Sequence, residues 1–411
     1  MAAGDAVARL VREEGTRVLA TLVRVTGSVD LAEDAAQDAI LRALETWPKD
    51  GVPDNPRGWL LVTAKRRAVD IIRREVRRSG KEAAAEMMAT TWSDPEPEPP
   101  DVVRDDMLRL VFTCCHPCLA LDSQVALALR TLGGLSTAEV ARGLMVPEAT
   151  MAKRLTRAKQ KITQAGIPYR VPAPEDLPDR LAGVAATVYL IFNEGYAAGA
   201  GDDLVRVALT AEAVRLARLL AELMPDEPTV LGLLALLLLH DARRAARVGD
   251  GGRSVLLPDQ DRRRWDREAI KEGVELVGVA LRRTPDRPEP YVVQAAIAAC
   301  HALAPSYEAT NWDAVISWYD VLLRVQDTAV VALNRAVAVA ERDGPVAGLA
   351  LVDGIDGLDS YPWWHATRGE LLHRTGGVSA ARAAYQRALA LGMSGPQAEH
   401  LRGRLAELPS D

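Results

Sequence analysis

Phenylalanine is nearly missing from this chain, with two residues in 411. A core dominated by large rings is therefore excluded, and the wealth of Ala, Leu, Val and Arg favours helices packed through small aliphatic side chains. The expected fold class is all-α. Cysteine is scarce too: of four residues, three crowd together at Cys114, Cys115 and Cys118, which does not make a disulfide framework and fits a reducing compartment. Long apolar runs are absent. The longest, Val230 to Leu239, is roughly half of what a membrane span needs, and MAAGDAVARLVREEG at the start lacks the apolar core of a signal peptide. The expectation is a soluble, cytoplasmic protein with no membrane partner.

What the chain does have is unevenly placed charge. Its formal net charge is -6, yet Lys153, Arg154, Arg157, Lys159 and Lys161 fall within one short stretch, VPEATMAKRLTRAKQKI. Upstream of it, Ser136 and Glu139 have capping-box spacing, so a helix is expected to start at Thr137 with Val140, Ala141 and Leu144 on its apolar face. Pro147 suits the first turn of a second helix, where the N–H it lacks would be unpaired anyway. Two short helices in tandem, the second one basic, form a helix-turn-helix, whose second helix enters the DNA major groove. Helical spacing puts Thr150, Lys153, Arg154 and Arg157 on one broad face and turns Met151, Leu155 and Ile162 toward the core.

The stretch LSTAEVARGLMVPEATMAKRLTRAKQKI resembles the region-four helix-turn-helix of bacterial extracytoplasmic-function sigma factors, with Thr150, Arg154, Leu155, Arg157 and Ala158 on matching positions. Met145 stands where that family usually has its turn glycine, Pro147 replaces a capping serine, and Ala152 with Lys153 replaces a Lys-Ser pair. The last difference implies a sequence preference away from the family average. The resemblance implies that Glu148, Thr150, Lys153, Arg154, Arg157 and Lys161 contact the minus-thirty-five promoter element.

Earlier in the chain, LAEDAAQDAILRALETW is similar to the region-two helix of the same family. Asp34 and Asp38 are four apart with Gln37 beside them, which makes an acidic ridge on an Ala-rich helix. The resemblance implies that Glu33, Asp34, Gln37 and Asp38 dock on core RNA polymerase. NPRGWLLVTAKRRAVDIIRRE follows the family too, and implies that Asn55, Arg57, Trp59, Lys65, Arg66, Arg73 and Arg74 hold the minus-ten element, with the loop 49–55 accepting an extruded base. Trp59, one turn into an amphipathic helix, also suits a core position.

The organisation expected from composition is region two over 1–80, a flexible Pro- and acid-rich linker over 81–104, region four over 105–168, and a Pro-rich connector over 169–180. A helical extension domain over 181–289 and repeats over 290–408 complete it. Modules on a flexible linker can reach two promoter elements about two duplex turns apart. The repeats have a period of about 33 to 34 residues, the tetratricopeptide one: Asp313-Ala314 with Trp318-Tyr319 recurs as Val346-Ala347 with Ala350-Leu351 and as Ala380-Ala381 with Ala384-Tyr385. Such repeats stack into grooves for peptide or protein partners. VYLIFNEGYAA and LLHDARRAARV resemble the extra domain of a subgroup of these sigma factors.

Cys115 and Cys118 have Cys-x-x-Cys spacing around His116, but no second ligand pair lies nearby, so buried thiols are expected and no metal or cofactor. Asn193, Glu194, His240 and Asp241 sit beside apolar helices without a nucleophile motif or a phosphate loop; adjacent helical residues point about 100° apart, so His240 and Asp241 make no dyad. No catalytic residue is expected. The resemblance implies an alternative sigma factor with a regulatory or partner-binding extension. The competing reading is a helix-turn-helix regulator with a repeat-domain sensor that does not load polymerase, and the acidic ridge, useless to a simple repressor, separates the two.

Overall fold

The computed structural model describes residues 3–79, 100–144, 146–167, 169–173, 175–196, 204–247, 249, 255–393 and 395–409. Among the described residues every regular element is a helix, as the composition predicts. Most of the expected linker at 81–104 and the turn residue Met145 lie outside the described residues. The chain divides into two compact units, 1–191 and 192–411.

In the first unit, α1 (Ala3–Thr26), α2 (Val29–Asp50) and α3 (Pro56–Ser79) pack on one another. The inner face of α2 is small: Ala32, Ala35, Ala39 and Ala43 are fully buried, at steps of three and four, and Trp47 closes the row. Methyl-sized side chains let the neighbouring helices approach closely. The Ser28 hydroxyl accepts from the Leu31 N–H to start α2, and Gly51, at φ 86°, ends it in a conformation that L side chains rarely adopt. The Asn55 side-chain carbonyl then accepts from the Gly58 N–H at 2.9 Å and starts α3.

Next come α4 (Pro100–Cys114), α5 (Leu121–Thr131), α6 (Thr137–Gly143) and α7 (Glu148–Gln164). The capping box is present as expected: Ser136 Oγ accepts from the Glu139 N–H, and Glu139 accepts from the Ser136 N–H at 2.7 Å. Met151, Leu155, Ala158 and Ile162 turn inward from α7, as their spacing predicts. Pro147 is the cap before α7 rather than its first helical residue.

α4 also packs on α1, around the buried carboxylate of Asp106. Arg24 Nε donates to it at 2.9 Å and Arg109 Nη1 at 2.8 Å. Tyr169 joins this seam, its hydroxyl 2.9 Å from the Asp106 carbonyl oxygen and 3.2 Å from that of Ala20. Arg180 donates to the Phe112 carbonyl at 2.6 Å, and Thr187 to the Gln124 side chain at 3.2 Å. Tyr169 and Arg180 are thus stitched into the first unit, and α8 (Leu177–Tyr196) begins between them.

The second unit is organised by α10 (Pro228–Asp241), in which Val230 to Leu239 are all buried. α9 (Leu204–Leu223), α11 (Arg267–Arg283) and α12 (Pro290–Leu303) pack around it. A Cβ on Gly232 would stand 2.6 Å from Val292 of α12, and one on Gly273 of α11 would stand 2.8 Å from Leu239. Glycine at these two crossings is what lets the helices close on α10.

From α12 onward each helix packs on the next: α13 (Trp312–Val325), α14 (Ala329–Asp343), α15 (Pro345–Asp353), α16 (Pro362–Arg374), α17 (Val378–Ala390) and α18 (Gly395–Glu407). The three copies of the sequence repeat fall near the starts of α13, α15 and α17, so one period is one helix pair. The best copy is held by Tyr385, which is fully buried against Gly369 and donates to Glu370 at 2.8 Å, while Arg404 grips the same carboxylate at 2.9 Å. The middle copy matches poorly because α15 is short.

Candidate nucleic-acid interface

Every side chain expected to act on DNA or polymerase belongs to α2, α3 and α7 or to the turns before them. On α2 the acidic ridge is real but uneven. Asp34 and Gln37 are exposed. Asp38 is half-buried and paired with Arg67 of α3. Glu33 is covered: its side chain is 12% exposed, and Oε2 accepts from Lys159 of α7 at 2.8 Å. The same ammonium reaches Asp30 at 2.9 Å, and its own side chain is 14% exposed. Burial works against the charge of Lys159, but the two carboxylates outweigh it and hold the pKa above the ordinary lysine value. Lys159 therefore belongs to the seam between the modules rather than to the DNA face of α7.

Two side chains that charge alone does not reveal extend the α2 ridge. Leu41 and Leu44 are 58% and 42% exposed. Leu41 lies seven positions after Asp34 and so on the same side of the helix. The only sequence signal for them is apolar residues on a face already marked by acids.

Between α2 and α3 runs an open groove of about 770 Å³, walled by Asp38, Leu41, Arg42 and Glu45 on one side and by Trp59, Thr63, Arg66 and Arg67 on the other. Trp59 serves the core and the groove together, since its ring meets Trp47 edge-on at 5.4 Å while lining the opening. Arg66 and Arg73 are exposed and Lys65 half-buried. Arg57 is drawn to Glu14 of α1, 3.4 Å away, and Asn55 spends its carbonyl oxygen on the α3 cap. The side chain of Arg74 lies outside the described residues.

On α7, Glu148, Thr150, Lys153, Arg157 and Lys161 are exposed. Arg154 is half-buried with Asp122 of α5 3.7 Å away. An exposed acid at that distance restrains a guanidinium without neutralising it, so Arg154 is the most firmly oriented of these cations. Helical geometry makes Thr150, Lys153, Arg154, Arg157 and Lys161 one stripe.

The thiols stand apart from this surface. Cys114 and Cys115 are buried and Cys118 half-buried. Burial pushes all three above the ordinary thiol value, Cys115 up to about 12, so they stay protonated at neutral pH. His116 Nδ1 accepts from the Cys118 N–H at 3.1 Å.

A helix-turn-helix with one cationic stripe, joined in one unit to a three-helix module whose ridge is acidic and whose groove sets Trp59 among arginines and carboxylates, is the architecture of a sigma-70-type promoter-recognition protein. Family comparison agrees: residues 10–78 match sigma-70 region 2 and residues 109–162 match sigma-70 region 4, while residues 180–281 match a family of unknown function (DUF6596). The chain is 43% identical over 401 residues to an uncharacterized protein of Rhizobium meliloti, covering 96% of this chain and 94% of that one. It is 30% identical over 156 residues to the ECF RNA polymerase sigma factor SigL of Mycobacterium tuberculosis, 38% of this chain and 85% of SigL. Against the ECF RNA polymerase sigma factor SigK of Mycobacterium ulcerans it is 28% identical over 160 residues, 38% of this chain and 82% of SigK. The chain belongs to the ECF RNA polymerase sigma factors. It is an alternative sigma factor that recruits core RNA polymerase to promoters and promotes transcription initiation, with a C-terminal helical extension.

Proposed function

We propose that the first unit is the resting form of the initiation machinery, and that loading onto polymerase opens it. In this reading Asp34, Gln37 and Asp38, with Leu41 and Leu44, dock on a basic surface of core polymerase. Arg66, Arg73 and the Trp59 groove receive the minus-ten strand, and Lys153, Arg154, Arg157 and Lys161 grip the minus-thirty-five duplex through phosphates and base edges. No covalent chemistry is required, and the work is done in the cytoplasm where polymerase resides. The observation that carries the reading is the Lys159 bridge to Glu33 and Asp30, which ties α7 to the α2 ridge and withholds Glu33 from any partner.

The extension then acts as the control. A stack of helix pairs, tetratricopeptide-like in period, offers a continuous surface to a protein or peptide partner, and a sigma factor with a resting form needs a signal that releases it. Run-off transcription with purified core polymerase and genomic promoter fragments tests the reading. Initiation by the full chain that is lost on Asp34→Lys supports it. Unchanged initiation by that variant removes the ridge from the mechanism.

A further inference from the structure

In the second unit, polar side chains gather among aromatic rings where α10 ends. Tyr196, the last residue of α8, engages two arginines from the segment that follows α10. Arg243 Nη2 donates to its hydroxyl at 2.8 Å, and Arg247 Nη1 donates to its carbonyl at 2.9 Å. The Arg247 guanidinium also lies 3.5 Å from the Tyr196 ring centroid. On the opposite flank, Trp265 has Arg262 at 4.5 Å and Arg243 at 5.9 Å from its ring. His240 meets the Tyr196 ring edge-on at 5.6 Å. Burial first, and then the fields of the neighbouring arginines, keep His240 and His301 neutral, with pKa values lowered to about 3 and about 4.

Three guanidinium groups thus share one place without an ion-paired carboxylate among the described residues. Among the described residues, Arg243, Arg247 and Arg262 make no ion pair; Asp241 is engaged by Arg244 at 2.9 Å, and Glu308, whose field reaches Arg262, is exposed. Polar atoms are left over in the same place. Arg262 Nη2, Trp265 Nε1, His240 Nδ1 and His301 Nδ1 are all buried without a hydrogen-bond partner, although Arg262 as a whole is only 9% exposed and Trp265 3%. An unpaired buried cation and an orphaned buried N–H each cost free energy. An anion with several acceptor oxygens would offset the guanidinium charge and accept from Arg262 Nη2 and the Trp265 N–H. Arg262 Nη1 donates to the His301 and Ala304 carbonyl oxygens at 2.6 and 2.7 Å, and its Nη2 is left for carboxylate or phosphate.

We propose that the second unit holds a binding site for a small, multiply charged anion of phosphate or carboxylate type, centred on Arg243 and flanked by Arg247, Arg262 and the Trp265 N–H. Most of its residues fall within the 180–281 segment that matches a family of unknown function, and the site gives that segment a chemical task. The proposal concerns binding alone and stands whichever way the extension acts on transcription.

The test uses the full chain with inorganic phosphate, pyrophosphate and citrate as probes, and sodium chloride at matched ionic strength as control. At least one probe should raise the melting temperature saturably, by about 3 °C or more at 100 times its Kd. Arg243→Gln, checked by far-UV circular dichroism for unchanged helix content, should abolish that shift. A second measurement on the wild-type chain needs no variant: the same probe should slow phenylglyoxal modification of Arg243 and Arg247 by about fivefold or more, read by peptide mass spectrometry, and leave the exposed Arg263 unprotected. Absence of a saturable shift with all three probes overturns the proposal. So does equal protection of Arg243 and Arg263, or an Arg243→Gln protein that keeps the full shift.

Discussion

Lys159 of α7 and Glu33 of α2, 126 positions apart, form a covered ion pair at 2.8 Å, with Asp30 as the second carboxylate on the same ammonium. Removing one partner of a buried pair leaves the other charge stranded. Lys159→Glu should therefore loosen α7 from α2 at a cost of roughly 3 kcal/mol, and Glu33→Lys in the same chain should restore most of it. Unfolding of the first unit followed by denaturant titration checks the coupling; additive effects of the two substitutions would contradict it. The raised pKa of Lys159 means that this contribution is fully present at neutral pH and fades only as pH climbs past the ordinary lysine range.

Asp34 is exposed and holds no partner among the described residues, so Asp34→Lys tests docking with little effect on stability. Reversing a charge that meets a basic surface should weaken retention on core polymerase by at least about tenfold. Co-purification with tagged core polymerase measures it, beside a melting curve that should not move. Asp38 is the poorer choice, since its substitution also releases Arg67.

Arg154 and Lys153 separate base reading from phosphate grip. If Arg154 reads a guanine, Arg154→Ala should cost roughly 1 to 3 kcal/mol at one promoter position and relax specificity there. Lys153→Ala should weaken all promoters alike and lower the salt slope by about one. Affinities across promoter variants and salt concentrations give both numbers. Identical behaviour of the two variants would show that the stripe makes phosphate contacts alone.

Acid should destabilise the second unit through its two buried imidazoles. In the unfolded chain His240 and His301 take up protons below about pH 6.5, whereas folded they resist until about 3 and about 4 because burial and Arg243, Arg247 and Arg262 oppose their charge. The unfolded state then binds more protons, and stability falls as pH drops below about 6.5, by up to roughly 1.4 kcal/mol per pH unit for each group. Melting temperatures between pH 7 and pH 5 should decline, and His301→Gln should flatten the decline.

Periodicity made much of this architecture legible, for a physical reason that also marks its limit. Met151, Leu155 and Ile162 are inward because an α-helix repeats every 3.6 residues, and Ser136 with Glu139 caps α6 through contacts three residues apart. Both are local rules. Lys159 obeys the same periodicity as its basic neighbours, yet its partners lie on another helix far away in sequence, so nothing local marks it as a seam residue. How segment 169–180 sits is hidden for a related cause. Its prolines restrict the backbone, Pro178 sitting in the first turn of α8, but they do not say whether the chain drifts or packs, and Tyr169 and Arg180 pack. Arg243 and Arg247 meet Tyr196 from 47 and 51 positions away, so nothing local marks them either.

The all-apolar core of α10 has a consequence for the newborn chain. Val230 to Leu239 leave the ribosome before α11 and α12 exist, and about 60 further residues must be made before the last of these covering helices is complete, which takes roughly 3 to 12 s at ordinary elongation rates. For that interval ten consecutive buried-type residues are covered by α9 alone. Synthesis of this sigma factor thus carries a built-in window for chaperone capture, and slowing translation between Asp241 and Leu303 should lower its soluble yield more than the same delay after α12 is finished.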